Sequence, residues 1–275
     1  SSVIPIVDVI FEHRVYLPSA GFLVAAATLG ALLARRLAPA RPAAVTVTAG
    51  VLLAAALGAA THARNEVWAT QLSLWTDVVA KSPRKSRPHD SLGLALAHLG
   101  REEEAIAEFQ EAIRLDPENV KARNNLGVAL AKLGRADEAK ASLAAALRIA
   151  PDHAEARYNL GRIYLLNEAR YPEAADLFET AIALRRDYPD AYANLAAAWN
   201  ALGRHADVVG LLERERRIIR RQPEAHFNLG YAYAALGDGA AAEREVRILE
   251  GLSPALAARL RGALGEAALA RPPGQ

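Results

Sequence analysis

Cysteine and methionine are both absent from the 275 residues, and aromatic side chains make up only 6%. Without cysteine there is no disulfide framework, no thiolate nucleophile and no Cys-ligated zinc or iron–sulfur site. The seven histidines are scattered with no HExxH pairing, and there is no serine elbow and no glycine-rich phosphate loop. No catalytic residue, metal ligand or cofactor is therefore expected within this chain. Because the sequence opens Ser1-Ser2-Val3-Ile4 and holds no methionine, it is expected to be the C-terminal part of a longer polypeptide. A basic excess is lacking too: net charge is +2, and beyond residue 63 acids and bases are equal in number. That balance argues against nucleic acid as a partner. What is present, 52% hydrophobic against 23% charged residues, is too apolar for a disordered chain.

Residues 15–34 and 42–63 contain no Asp, Glu, Lys or Arg. Each run is close to the roughly 20 residues needed to cross hydrocarbon, which predicts two transmembrane helices; a buried soluble hairpin is the alternative. Residues 35–41 between them hold Arg35, Arg36, Arg41 and Pro39. The positive-inside rule makes this loop cytoplasmic and puts the rest of the chain on the other side. Small residues every four positions (Ala26, Gly30 and Ala34; Gly50, Ala54 and Gly58) predict close packing against each other or against further spans of a longer parent chain. The expected location is thus integral to a bacterial inner membrane, with membrane lipid as a neighbour and the C-terminal domain periplasmic.

Past Pro88 the pairs Leu92-Gly93, Leu126-Gly127, Leu160-Gly161, Leu195-Ala196 and Leu229-Gly230 recur at spacings of 34, 34, 35 and 34. This resembles the period of tetratricopeptide (TPR) repeats, each a pair of antiparallel helices. Five repeats follow, at 86–119, 120–153, 154–188, 189–222 and 223–256. Ala105, Ala139, Val208 and Ala242 fall where the two helices come closest, and Pro117, Pro151 and Pro254 fall where the second helix must stop. Leu-Gly turns at Gly100, Gly134, Gly203 and Gly237 separate the helices. The third repeat departs from this, with Asn167-Glu168 at its turn, one inserted residue and Arg186 for proline. The fourth ends in Arg220 and carries Glu215 at a small-residue position, so its second helix is expected to be longer or displaced. Residues 64–85 read as a linking and capping helix on which Trp68, Leu72, Trp75 and Val79 make one stripe, core-facing or membrane-interfacial. Leu256, Leu260 and Leu264 mark a C-terminal capping helix over 257–275. The fold class expected is all-α: a two-helix transmembrane hairpin over 1–63, then a right-handed TPR solenoid of about five helix pairs with capping helices.

Position 6 of each repeat is Ser91, Asn125, Asn159, Asn194 and Asn228. Four successive amides from one place on the first helix can donate to and accept from the backbone of an extended peptide. The alternative is that they bond to the neighbouring helix as part of the repeat itself. Flanking groove positions are Lys121, Asn124, Tyr158, Arg162, Asn200, Phe227 and Tyr231. The cluster Arg214, Arg216, Arg217, Arg220 and Arg221 reads either as a grip for an anionic partner or, with Glu213 and Glu215 interleaved, as a solvated surface helix.

The asparagine ladder resembles the peptide-holding surface of the O-linked N-acetylglucosamine transferase superhelix. The run from Glu12-His13-Arg14-Val15-Tyr16-Leu17-Pro18 through Gly21-Phe22, the two uncharged stretches, Arg64-Asn65, Trp68, Trp75 and the repeats together resemble the C-terminal part of transmembrane-and-TPR-containing O-mannosyltransferase-like proteins and their bacterial relatives. The resemblance implies a multispanning glycosyltransferase that uses polyprenyl-phosphate sugars, with its acidic catalytic residues upstream of Ser1. It implies for Glu12 and Arg14 a place near the donor phosphate, or a helix-end anchor. The function expected is a protein-binding module that presents polypeptides to such an enzyme, the alternative being a non-enzymatic scaffold for envelope protein assembly.

Overall fold

The computed structural model describes residues 70–269 continuously, together with scattered positions between 32 and 59. Two compact units meet between Leu74 and Trp75. In the first, the longest described run below residue 70 is 50–56, helical and exposed. The expected transmembrane hairpin is corrected accordingly: among the described residues no helix is long and apolar enough to cross a membrane. Apart from Leu32 and Arg36, residues 15–34 and 35–41 lie outside the described residues, as do ten of residues 42–63 and Glu12, Arg14 and Trp68.

The second unit is an all-α solenoid. After α1 (Gln71–Lys81) come five helix pairs: α2 (Ser86–His98) with α3 (Glu102–Leu115), α4 (Val120–Lys132) with α5 (Ala136–Ile149), α6 (Ala154–Asn167) with α7 (Tyr171–Leu184), α8 (Pro189–Ala201) with α9 (His205–Arg214), and α11 (Pro223–Ala235) with α12 (Gly239–Leu252). A short α10 (Arg216–Ile219) follows α9, and α13 (Pro254–Leu269) packs on α11 and α12. Each pair packs internally and against the next, as a stack with nearest-neighbour contacts must.

Small side chains make the close approaches. Ala105, Ala139, Ala174, Val208 and Ala242 are each 0% exposed. A Cβ placed on Gly127 would lie 2.6 Å from Leu143 Cγ, so only glycine fits that crossing as it stands. The turn glycines Gly100, Gly134, Gly203 and Gly237 all have φ between +72° and +85°, the left-handed geometry that ends the first helix of a pair. In the third repeat that conformation falls to Ala169 at φ +52°, beside the extra residue. Position 4 of the repeat ties each of the first three pairs to the preceding turn: Nη2 of Arg123 donates to the Pro117 carbonyl (2.7 Å), Arg157 does the same to Pro151 (2.5 Å), and the Nε2 of His89 lies 3.1 Å from the Pro83 carbonyl.

The fourth repeat breaks this regularity. Its second helix stops at Arg214 and resumes as α10, with Glu215 between. Here polar groups enter the core. Glu245, 1% exposed, accepts from Arg216 Nη2 at 2.7 Å and faces His226 Nδ1 at 2.7 Å, while Arg216 also chelates Glu213. The arginine beside Glu213 holds its carboxyl below the usual range, and burial together with its hydrogen bond to Glu213 pushes the Tyr233 phenol up to about 12.

Candidate peptide-binding groove

The first helices of the repeats, α2, α4, α6, α8 and α11, stand side by side and form one wall. Their neighbourhood is direct, because position-6 amides bridge from each helix to the one before. Asn125 Nδ2 donates to Asp90 Oδ1 (2.9 Å), Asn159 Nδ2 to Asn124 Oδ1 (2.9 Å), Asn194 Nδ2 to the Tyr158 hydroxyl (3.1 Å) and Asn228 Nδ2 to the Ala193 carbonyl (2.9 Å). The ladder therefore spends one N–H of each amide on the neighbouring helix. An asparagine has two N–H groups and a carbonyl with two lone pairs, so each half-buried amide retains acceptor capacity and one donor.

The flanking residues divide into two kinds. Asn124 is 6% exposed and acts as acceptor for Asn159, so it belongs to the wall rather than to its surface. Tyr158 packs against Phe178 and Tyr188 with its hydroxyl accepting from Asn194, and burial raises its phenol. Asn200 donates to the Asn228 carbonyl and its Oδ1 lies 3.0 Å from His205 Nδ1. Ser91 and Phe227 are half-buried, and the Arg259 guanidinium lies 5.2 Å from the Phe227 ring centre. Lys121, Arg162 and Tyr231 are exposed. Burial pushes the Asp90 carboxyl up, opposed by the hydrogen bond from Asn125 and by the charge of Lys121.

The rim changes sign along the stack. Position 2 is Arg87 and Lys121 in the first two repeats and Glu155, Asp190 and Glu224 in the last three. Glu155 accepts from Arg185, and Asp190 from Gln222.

Two hollows open where successive first helices meet, one repeat apart. The hollow between repeats one and two, about 160 Å³, is walled by Leu94, Phe109 and Val128, with Asn125, Glu102 and Lys132 among its polar lining. The hollow between repeats two and three, about 150 Å³, is walled by Val128, Leu143, Ile163 and Leu166, with Asn159, Lys132 and Arg162. Each hollow thus holds one ladder asparagine. Leu94, Val128, Leu166 and Lys132 were not singled out from sequence. Leu94 and Val128 share repeat position 9 with Arg162 and Tyr231, so the signal for them was a large apolar residue at a position already assigned to the wall. Two of the five arginines of the cluster are engaged by neighbouring carboxylates: Arg216 is held by Glu213 and Glu245, and Arg214 by Glu215.

Comparison with known proteins identifies the repeats. A TPR repeat model matches residues 93–134, and a tetratricopeptide repeat model matches 120–187. The chain carries tetratricopeptide repeats. It is 32% identical over 108 residues to the Protein O-mannosyl-transferase F38B6.6 of Caenorhabditis elegans, covering 39% of this chain and 15% of that protein. It is also 32% identical over 118 residues to the Protein O-mannosyl-transferase Tmtc3 of Drosophila melanogaster, covering 40% and 12%. The chain thus spans less than a sixth of either relative. Among solved structures it is similar in fold to YrrB, described as a TPR protein with an unusual peptide-binding site (TM-score 0.54, 18% identity, 68% of this chain and 97% of that one), and to pilF of Pseudomonas aeruginosa (TM-score 0.60, 17% identity, 75% and 94%).

Proposed function

We propose that the repeats are a protein-interaction module whose inner wall holds an extended polypeptide, and that the module serves a protein O-mannosyl-transferase-like enzyme by presenting polypeptide to it. One observation carries the first half. Four successive asparagines keep an acceptor and a donor after bonding the preceding helix, so the wall offers regularly spaced backbone partners and little demand for particular side chains. The second half is supported by the similarity to the two O-mannosyl-transferases; in this reading the module works outside the cytoplasm with its enzyme. The chain on its own performs no bond chemistry in this reading. It supplies binding and orientation, which raise the effective concentration of a linked substrate.

The test is capture of a permanently unfolded polypeptide, reduced and carboxymethylated lactalbumin, by this chain and by a variant with Asn125, Asn159, Asn194 and Asn228 changed to alanine. Capture is expected to weaken at least tenfold, on the order of one lost hydrogen bond per amide. Undiminished capture by a variant that keeps its helicity would remove the groove from the account.

A further inference from the structure

We propose that the segment held by the first three repeats is a polyproline-II-like stretch carrying two apolar side chains three residues apart, with a carboxylate beside the one that enters the hollow between repeats two and three. The proposal rests on the groove reading above and adds what the groove selects.

The spacing comes from geometry. The first helices of adjacent repeats are bridged directly by Asn125–Asp90 and Asn159–Asn124, and helices in such contact lie about 8–10 Å apart. The two hollows each hold one of these asparagines and share Val128 and Lys132 between them, so one repeat step is the separation the proposal assigns to them. A polyproline II chain turns once in three residues and rises about 9.3 Å in doing so, which returns residue i+3 to the face of residue i at the required distance. A β-strand does not match. Its same-face positions fall about 6.8 Å and about 13.6 Å away, and its i+3 side chain points to the opposite face. Polyproline II also leaves its backbone groups unpaired within the segment, free for the amides of Asn125 and Asn159.

The side-chain chemistry comes from the linings. Leu94, Phe109 and Val128 in one hollow and Val128, Leu143, Ile163 and Leu166 in the other make both floors apolar. Each has about the volume that holds a benzene ring in an enclosed apolar cavity, which suits leucine or a larger hydrophobe. The charge separates them. Lys132, which lines both, is neutralised from the first hollow by Glu102 at 2.8 Å. In the second it is joined by Arg162, which is exposed and has no carboxylate within ion-pair distance among the described residues. Further along the wall position 2 turns acidic at Glu155, Asp190 and Glu224, so an anionic group on the ligand is favoured at Arg162 and disfavoured beyond it.

The experiment uses end-blocked, fluorescein-labelled Gly-Asp-Leu-Ser-Ser-Leu-Asp-Gly, which sets a carboxylate beside the relevant leucine in either chain direction, and reads affinity by fluorescence anisotropy. Comparison peptides place the leucines two or four residues apart, replace them with alanine, or replace both Asp with Lys. The three-residue spacing is expected to bind about tenfold tighter than the other spacings, in each of which one leucine loses its hollow, and by a larger factor than the alanine peptide, which fills neither. The protein variant Arg162→Glu is expected to lose threefold to fivefold for the Asp peptide and to recover with the Lys peptide. Leu166→Ser, at a side chain already 68% exposed, keeps the fold and is expected to weaken only peptides with the three-residue spacing. If every peptide binds alike and still depends on the asparagines, the groove reading stands and this selectivity is overturned. If neither the peptides nor unfolded lactalbumin bind, the groove reading falls and takes this proposal with it.

Discussion

His89 and Glu108 in the first repeat stand at the same two repeat positions as His226 and Glu245 in the fifth, yet the two pairs live in different surroundings. In the first repeat the Glu108 side chain is 26% exposed, and both ring nitrogens of His89 are engaged, one by Glu108 and one by the Pro83 carbonyl. In the fifth, the Glu245 side chain is 1% exposed and shared with Arg216, while His226 Nε2 is buried without a hydrogen-bond partner. Pro83, Pro117 and Pro151 close the turns that position 4 grips, and at the corresponding place before the fifth repeat stands Arg220. The fourth repeat also places Glu215 where the first two have Ala112 and Ala146; there α9 breaks, α10 follows, and Arg216 reaches Glu245. The same pair is therefore partly solvated through its carboxylate at one end of the stack and fully enclosed at the other. A repeat consensus fixes positions, whereas the energy of a pair depends on what its neighbours leave unsatisfied.

The sharpest way to break this comparison is to remove the carboxylate from each pair. Glu245→Ala leaves buried His226 Nδ1 without a partner, while Arg216 keeps Glu213, and is expected to cost about 1–3 kcal/mol in urea denaturation, as a buried polar group left unsatisfied does. Glu108→Ala removes a half-exposed partner and is expected to cost under about 1 kcal/mol. Equal costs would mean that burial does not distinguish the two ends.

Of similar size is the effect at the helix crossing itself. Gly127→Ala places a methyl group 2.6 Å from Leu143 and is expected to cost about 1–3 kcal/mol. In the fourth repeat the equivalent residue is already Ala196, fully buried, and Ala196→Gly is expected to cost about 0.5–1 kcal/mol from backbone entropy. The opposite sign at either site would show that the regular and irregular repeats pack alike.

Ala169→Gly is expected to stabilise the third repeat by about 1 kcal/mol, because it relieves the positive φ that the extra residue imposes. An unchanged melting temperature would count against strain there. The smallest effect belongs to Asp90, whose carboxyl is raised by burial. A carboxyl raised in the folded state favours the protonated form, so its contribution to stability is full below the unfolded-state value near 4 and is lost as pH rises through the folded value. Asp90→Asn keeps the acceptor for Asn125 and removes the charge. It is expected to leave stability at pH 4 nearly unchanged and to raise it slightly at pH 7, as thermal melts at the two values will show.

What could be read from sequence was what the repeat enforces locally. Turn glycines, buried alanines and the inserted residue beside Ala169 each follow from helix crossing and chain reversal, which act within one repeat and leave a period. Relations between repeats were harder to read. Asn125, Asn159, Asn194 and Asn228 were visible as a ladder, but which of their hydrogen-bonding groups are spent on Asp90, Asn124, Tyr158 and Ala193 depends on how adjacent helices dock. The fifth-repeat network was hidden for the same reason, since Arg216 and Glu245 lie on elements brought together only by the break at Glu215.

The account turns on the inner wall as the place where another chain is held. Nitrogen–proton correlation spectra of the labelled protein titrated with unfolded, carboxymethylated lactalbumin test this most directly. The side-chain amide signals of Asn125, Asn159, Asn194 and Asn228 and backbone signals of α2, α4, α6, α8 and α11 are expected to shift together, with α3, α5, α7 and α12 largely still. Shifts confined to those outer helices, or no shift at saturating polypeptide, would contradict it.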